Sequence, residues 1–258
     1  MKGLKLIILT QDDPFYLPKI YQYLLPKLKA AGHEVLASVL FDVAPFGKKE
    51  SKVKQLIDTY KVFGLGFTIH YMLQFTKGIL GKGIKGVMKA NGIEIVKLAN
   101  SVNHPKSLEI IHSFKSDLLV SLAGNEIFKT PLFESTKYGV INLHSALLPK
   151  YRGLMPSFWV MRHNEEKTGV SVFFVDEGID SGPIIVQKEV PLLKRTQSEL
   201  IWELKYRGAD VIVEACNLVA EHGKNTPTMA NDEKEMTYYS RPTKVDVKAF
   251  KSMGKKFF

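Results

Sequence analysis

The strongest constraint on the fold is an alternation of two periodicities through the first half of the chain. Leu4 to Leu9 is a short, unbroken apolar run, as expected of a strand buried on both faces. Pro14 to Ala31 then carries Tyr16, Ile20, Tyr23, Leu24 and Leu28 at helical spacing. Gly32 ends that stretch, and Glu34 to Phe41 reads as a second strand. Pro18 and Pro26 argue against one unbroken helix between them. Further short apolar runs follow at Ile93 to Leu98, Asp117 to Leu122 and Gly139 to Leu143, the last two preceded by helical or turn segments. Strand–helix alternation of this kind predicts an α/β fold with a doubly wound, mostly parallel sheet. Such a sheet binds its ligand beyond the carboxyl ends of its strands.

The chain has 258 residues. At roughly 150 residues per domain this suggests one large domain, or one with an appendage. A chain of this size buries about 70–75% of its unfolded surface, so folding needs neither disulfides nor metal. Cys216 is the single cysteine and cannot pair within the chain or build a thiolate zinc cage, which suits a reducing cytoplasm. The apolar run at the start is too short for a signal peptide, and no uninterrupted apolar stretch reaches the ~18 residues of a transmembrane helix. The 36 Lys and Arg against 26 Asp and Glu leave +10. That excess favours an anionic partner: nucleic acid, nucleotide, polyglutamate or a lipid surface.

Two regions interrupt or follow the regular pattern. From about 48 to 90 lies an insertion in which Lys48, Lys49, Lys52 and Lys54 lead into an apolar stretch from Val62 to Leu73. Lys77, Lys82, Lys85 and Lys89 follow, interleaved with Gly78, Gly81, Gly83 and Gly86. One reading is an inserted helix with lysines on its wet face. The other is a lid or anionic-ligand surface, for which contact with a membrane interface is one option, with the glycines adding mobility. Beyond residue 144, Thr168 to Val175 and Pro183 to Val190 are strand-like. Thr196 to His222 is a long amphipathic helix, with Ser198 and Glu199 as capping candidates. The main domain is thus expected over residues 1–222, with a basic tail at 223–258 docked on it.

Chemistry concentrates in two segments. In Val140-Ile141-Asn142-Leu143-His144, Asn142 and His144 are two apart at a strand end, so their side chains share a face. In Val175-Asp176-Glu177-Gly178-Ile179-Asp180-Ser181-Gly182-Pro183, a glycine-punctuated turn supplies carboxylates. An amide, an imidazole and a carboxylate suffice for acyl transfer to an amine. Asn142 and a protonated His144 can donate to a developing oxyanion, and Asp180 can hold the imidazolium and relay a proton through water. Taken singly, an Asn-x-His pair is common, and Asp180 is equally well a turn residue.

Together, Asn142-Leu143-His144, the Leu148-Pro149-Lys150-Tyr151-Arg152-Gly153 run, Thr168-Gly169-Val170 and Asp176 to Pro183 resemble the formyltetrahydrofolate-dependent formyltransferases. The likeness is strong from about Asp117 to Pro191. It implies a formyltransferase fold and N10-formyltetrahydrofolate as formyl donor, with Asn142, His144 and Asp180 catalytic. It also implies a folate pocket on Leu122, Ala123, Gly124, Asn125, Glu126 and Ile127, and on Asp176, Glu177, Gly178 and Ile179, held largely through backbone groups. No metal is implied. Tyr151-Arg152 resembles the tRNA and sugar-nucleotide branches, putting Arg152 and Lys150 beside an anionic acceptor. Methionyl-tRNA enzymes of the family carry a further C-terminal β-barrel, whereas 36 residues follow His222 here. The expected acceptor is therefore the amine of a deoxythymidine- or guanosine-diphosphate amino sugar, with methionyl-tRNA as the alternative. A formyltetrahydrofolate hydrolase and a non-catalytic folate-binding protein are the alternatives of another class. The expected partners are a small anionic acceptor or tRNA, and a second copy of the chain in a homodimer.

Overall fold

A computed structural model describes residues 3–42 and 51–258. Lys48 and Lys49 of the insertion lie outside the described residues. The strands are β1 (Lys5–Gln11), β2 (Glu34–Phe41), β3 (Glu94–Val96), β4 (Leu118–Leu122), β5 (Val140–His144), β6 (Arg152–Gly153), β7 (Lys167–Phe174), β8 (Ile184–Pro191) and β9 (Tyr238–Tyr239). The helices are α1 (Leu17–Ala30), α2 (Lys52–Phe63), α3 (Leu65–Leu80), α4 (Gly83–Ala90), α5 (Pro105–Ser113), α6 (Thr130–Phe133), α7 (Pro156–Arg162), α8 (Gln197–His222) and α9 (Lys244–Ser252).

Seven strands form one sheet in the order β3-β2-β1-β4-β5-β7-β8. The first five run parallel, and β7 and β8 are antiparallel additions after β5. The unbroken apolar run of β1 explains its central place, because successive side chains face opposite layers. Leu6 and Ile8 pack with α1, α4 and α8, while Ile7 and Leu9 pack with Ile111 of α5 and Leu132 of α6. This is the expected α/β sheet covered on both faces.

Helix α1 is continuous, contrary to the break that its prolines suggested. Pro18 falls in the first turn, where a missing N–H costs nothing, and only Pro26 is interior. Against a penalty of about 3 kcal/mol for an interior proline stand six buried apolar residues, each worth about 1.5–3 kcal/mol. Burial wins. The Asp13 carboxylate also accepts from the N–H groups of Phe15, Tyr16 and Leu17 at 3.0–3.2 Å, anchoring the approach to the helix. Helix α8 is capped by Thr196 rather than Ser198. The Thr196 hydroxyl accepts from the Glu199 N–H, and the Glu199 carboxylate accepts from the Thr196 N–H, a reciprocal capping box.

The insertion forms three helices rather than one. Ile84, Val87 and Met88 of α4 are buried, and α4 packs on α1. Helix α3 packs on the loop after β1, where Phe15 meets Tyr71 with ring centroids 4.9 Å apart. The last residues are fixed by backbone pairing and aromatic packing. Strand β9 pairs with β6, the Trp159 indole donates to the Ser240 carbonyl at 2.9 Å, and Phe250 and Phe257 pack on Phe158. The Lys256 and Phe257 carbonyls accept from Gln197 and Ser198, satisfying N–H groups at the start of α8. Cys216 lies inside this core, where burial pushes its thiol up to about 12.

One buried group makes stability depend on pH. His33 Nδ1 accepts from the Leu4 N–H at 3.1 Å, so the neutral ring carries its proton on Nε2, facing the Asn217 side-chain oxygen at 3.0 Å. Burial lowers its pKa below the ordinary 6.5. The unfolded chain therefore binds the proton more readily than the folded one. This contribution is complete above 6.5 and is lost as pH falls through 6.5 toward the lowered folded value, with a slope of at most about 1.4 kcal/mol per pH unit. Urea unfolding from pH 5 to 8 should show the slope in the natural chain, and His33→Gln should flatten it. An unchanged slope in the variant assigns the effect elsewhere.

Candidate active site

Strands β4 and β5 lie side by side, and their carboxyl ends open on a cavity of about 190 Å3. Ser121 of β4 stands in register with Asn142 of β5, and His144 is the last residue of β5. The turn between β7 and β8 brings Asp180 to the same cavity. Alternation along β5 puts half-buried Asn142 and buried His144 on its wall.

Two of the three polar groups, His144 and Asp180, are held by backbone hydrogen bonds. His144 Nε2 lies 2.7 Å from the Tyr151 carbonyl oxygen, an acceptor, so this nitrogen carries a proton. Nδ1 faces Asp180 Oδ2 at 3.4 Å. A second proton on Nδ1 creates an imidazolium–carboxylate pair between side chains only 7% and 14% exposed. Asp180 Oδ2 also accepts from the Gly153 N–H at 2.9 Å, and the Asp180 carbonyl accepts from the Asn231 amide at 2.9 Å. The same amide reaches the Gly182 carbonyl at 2.9 Å, so residue 231 holds both ends of the carboxylate's turn.

Ala123, Gly124, Glu126, Ile127, Asp176, Gly178 and Ile179 line the cavity with the three polar residues. Several of these side chains shape loops rather than face a ligand. The Glu126 carboxylate accepts from the Ser101 hydroxyl and the Val102 N–H, at 2.6 and 3.0 Å. Asp176 Oδ1 accepts from the Ser181 hydroxyl and the Gly178 N–H, closing its own turn. Three of the expected pocket residues are not on the wall. Leu122 is buried in the core, the Asn125 amide donates to the Asp42 carbonyl at 2.5 Å, and Glu177 accepts from the Thr130 hydroxyl.

Arg152, expected to meet an acceptor, is buried in the structure. The residue is only 4% exposed, and its guanidinium donates to the Asn231 carbonyl and side-chain oxygens at 3.2 and 2.9 Å. It fastens the segment that brackets Asp180. Lys150 is exposed and off the cavity wall. The structure adds Ser121, Phe128, Gly153 and Leu154 to the lining. Like the Arg152 Nε, the Ser121 hydroxyl at the cavity is buried without a hydrogen-bond partner. Its signal was the one polar residue in the Leu118–Leu122 run. Asn231 had none. Among the described residues no group of His, Cys, Asp and Glu is arranged to hold a metal ion.

Comparison with known proteins gives the family and the fold. Residues 84–216, just over half of the chain, match the Formyl transferase family. The chain belongs to the Formyl transferase family. Among relatives by sequence, methionyl-tRNA formyltransferase of Chlorobium chlorochromatii is 33% identical over 150 residues, 58% of this chain and 47% of that protein. The methionyl-tRNA formyltransferase of Clostridioides difficile is 37% identical over 132 residues, 51% of this chain and 42% of that protein. The chain thus spans about half the length of the curated relatives it matches.

Solved structures share the fold of this formyl transferase family member at low identity. Glycinamide ribonucleotide transformylase 1 from Symbiobacterium toebii superposes with a TM-score of 0.61 at 17% identity, over 89% of this chain and 95% of that one. The N-formyltransferase from Helicobacter canadensis, in complex with folinic acid and dTDP-3-aminofucose, gives 0.59 at 19%, over 93% and 71%. The mostly parallel seven-stranded sheet is therefore the formyltransferase architecture.

Proposed function

We propose that this chain transfers a formyl group from N10-formyltetrahydrofolate to a primary amine by direct attack at Asn142, His144 and Asp180. The observation that carries this reading is the convergence of those three side chains on one cavity, with Asp180 3.4 Å from the imidazole. The cavity suits a flat, polar-edged ring. Ile127, Phe128 and Ile179 supply apolar wall, and the unpartnered Ser121 hydroxyl supplies a polar contact. Backbone groups of residues 123–127 and 176–179 supply further donors and acceptors, while the Glu126 and Asp176 side chains hold those loops in shape.

In the reaction, the amine nitrogen bonds to the formyl carbon, and the bond from that carbon to the folate nitrogen breaks. Asn142 and His144 Nδ1–H donate to the formyl oxygen as negative charge develops on it. In known oxyanion sites one such donor is worth about 3–4 kcal/mol. Asp180 stabilises the imidazolium and, through water, takes the proton that the amine loses and delivers it to the departing nitrogen.

For the acceptor we favour an amino-sugar nucleotide. The fold is shared with an enzyme crystallised with dTDP-3-aminofucose. Methionyl-tRNA is the second reading, favoured by the names of the sequence relatives. The test is a panel assay with purified protein, formyltetrahydrofolate, several amino-sugar nucleotides and charged initiator tRNA. Formylation of a sugar nucleotide at its amine, inhibited competitively by free nucleotide, is the expected result. Efficient formylation of the tRNA with no sugar nucleotide used overturns it. Folate cleavage without any acceptor would make the chain a hydrolase.

A further inference from the structure

Helices α2 and α3 are apolar on two sides. Inward, Val62, Phe63 and Phe67 pack on the core. Outward, α2 presents Val53, Ile57 and Tyr60, and α3 presents Leu65, Ile69, Met72, Leu73 and Leu80, all between 46% and 88% exposed. Spacings of three and four gather these residues on one face of each helix. The helices pack on each other across a turn at Gly64. Phe258, itself half exposed, stacks on His70 and packs on Phe67 at the inner side of α3. Apolar side chains gathered this way on an exposed face mark an interaction surface more often than isolated ones do.

The charge around this patch says what covers it. Residues 51–91 carry seven lysines and one aspartate, and residues 244–258 carry five lysines and one aspartate. The two stretches adjoin, since α9 packs on α2 and Lys251 donates to the Phe63 carbonyl at 3.0 Å. Together they hold twelve lysines against two acids, which is the whole excess of +10, and the rest of the chain balances at 24 and 24. Lys85 is paired with Asp12, at 2.7 Å, so the local surplus is slightly smaller than the count. A second copy meeting this face symmetrically would oppose one lysine-rich rim to another. An anionic bilayer complements both features, taking the apolar face among its headgroups and the lysines at its phosphates. No helix among the described residues is long and apolar enough to cross a membrane, so these helices lie on the surface.

We propose that the outer face of α2 and α3 docks the protein on an anionic membrane surface. It holds the carboxyl edge of the sheet close to the bilayer, because α3 packs on the loop that follows β1. The inference is independent of the acceptor.

Sedimentation of the full chain with vesicles of phosphatidylcholine, with and without phosphatidylglycerol, tests it. The expected result is binding to the anionic vesicles only, weakening as salt rises. Ile69→Glu with Leu73→Glu should abolish binding, and Lys61→Gln with Lys77→Gln should weaken it tenfold or more, since each lysine near such a surface contributes roughly fivefold. These side chains are exposed, and a thermal melt of each variant checks that the fold is kept. Absence of binding by the natural chain overturns the proposal. If the same apolar substitutions then convert a dimer to a monomer in light scattering, a second copy covers the face instead. Binding that survives both pairs of substitutions overturns the assignment to this surface.

Discussion

Asp180→Asn is expected to lower kcat by about 100- to 10,000-fold, the range for loss of a positioned acid–base group, while folate binding stays within a few-fold. The substitution is close to isosteric, and its remaining side-chain oxygen can still accept the Gly153 N–H that Asp180 Oδ2 accepts at 2.9 Å. What it removes is the negative charge facing His144 Nδ1. An imidazolium formed between these buried side chains during the reaction would then lack its counter-charge. The proposed relay of the amine proton is lost with the carboxylate. His144→Ala removes the Nδ1–H donor to the formyl oxygen, and Asn142→Ala should cost about 100–1,000-fold as the loss of one oxyanion contact. Because these interactions strengthen in the transition state, the losses fall on kcat rather than on KM for folate. Steady-state kinetics beside calorimetric folate binding separate the two. Turnover near that of the natural chain in Asp180→Asn would sink the proposed roles.

The parts of this arrangement that were legible in the sequence are those written in local periodicity. The β1, β4 and β5 runs are apolar because both faces of the sheet are covered, and that requirement acts residue by residue along each run. Asn142 and His144 break such a run at its carboxyl end, where a polar pair has no packing reason to be. Contacts between distant segments were not legible in the same way. Asn231 lies in a polar stretch without periodicity, yet its amide meets two carbonyls of the Asp180 turn. Arg152 looked like an anion-binding residue by type and neighbourhood. Its burial is decided by residues 79 positions away. In the insertion, glycines and lysines obscured three separate helices, because α3 and α4 are ordered by Phe15 and by α1 rather than by their own propensity. The break expected at Pro26 failed for the same reason, since tertiary burial outweighed the local penalty.

Gly153→Ala tests whether the docked C-terminal segment is part of the active site, and its effect should reach both stability and turnover. Gly153 has a φ of 95°, a conformation that strains any residue with a Cβ. A Cβ there would stand 2.3 Å from the Tyr239 carbonyl oxygen and 2.8 Å from the Tyr238 ring, both in β9. The strand must move away. With it weaken the Arg152–Thr237 and Leu154–Tyr239 backbone hydrogen bonds, at 2.9 and 2.8 Å, and the stacking of Tyr239 on Tyr151 and Trp159. Two buried backbone bonds at about 1 kcal/mol each, with about 1–3 kcal/mol of backbone strain, predict a loss of roughly 3–5 kcal/mol. The Gly153 N–H is also the donor to Asp180 Oδ2, so its displacement loosens the carboxylate that faces His144. Turnover should therefore fall at temperatures where the protein remains folded, and limited proteolysis should cut more readily after residue 222. Gly153→Ala with a normal melting curve and normal kcat would show that β9 rests against the site without shaping it. A lowered melting temperature with kcat unchanged would confine its role to stability, whereas a joint loss shows that β9 shapes the catalytic cavity through Gly153 and Asp180.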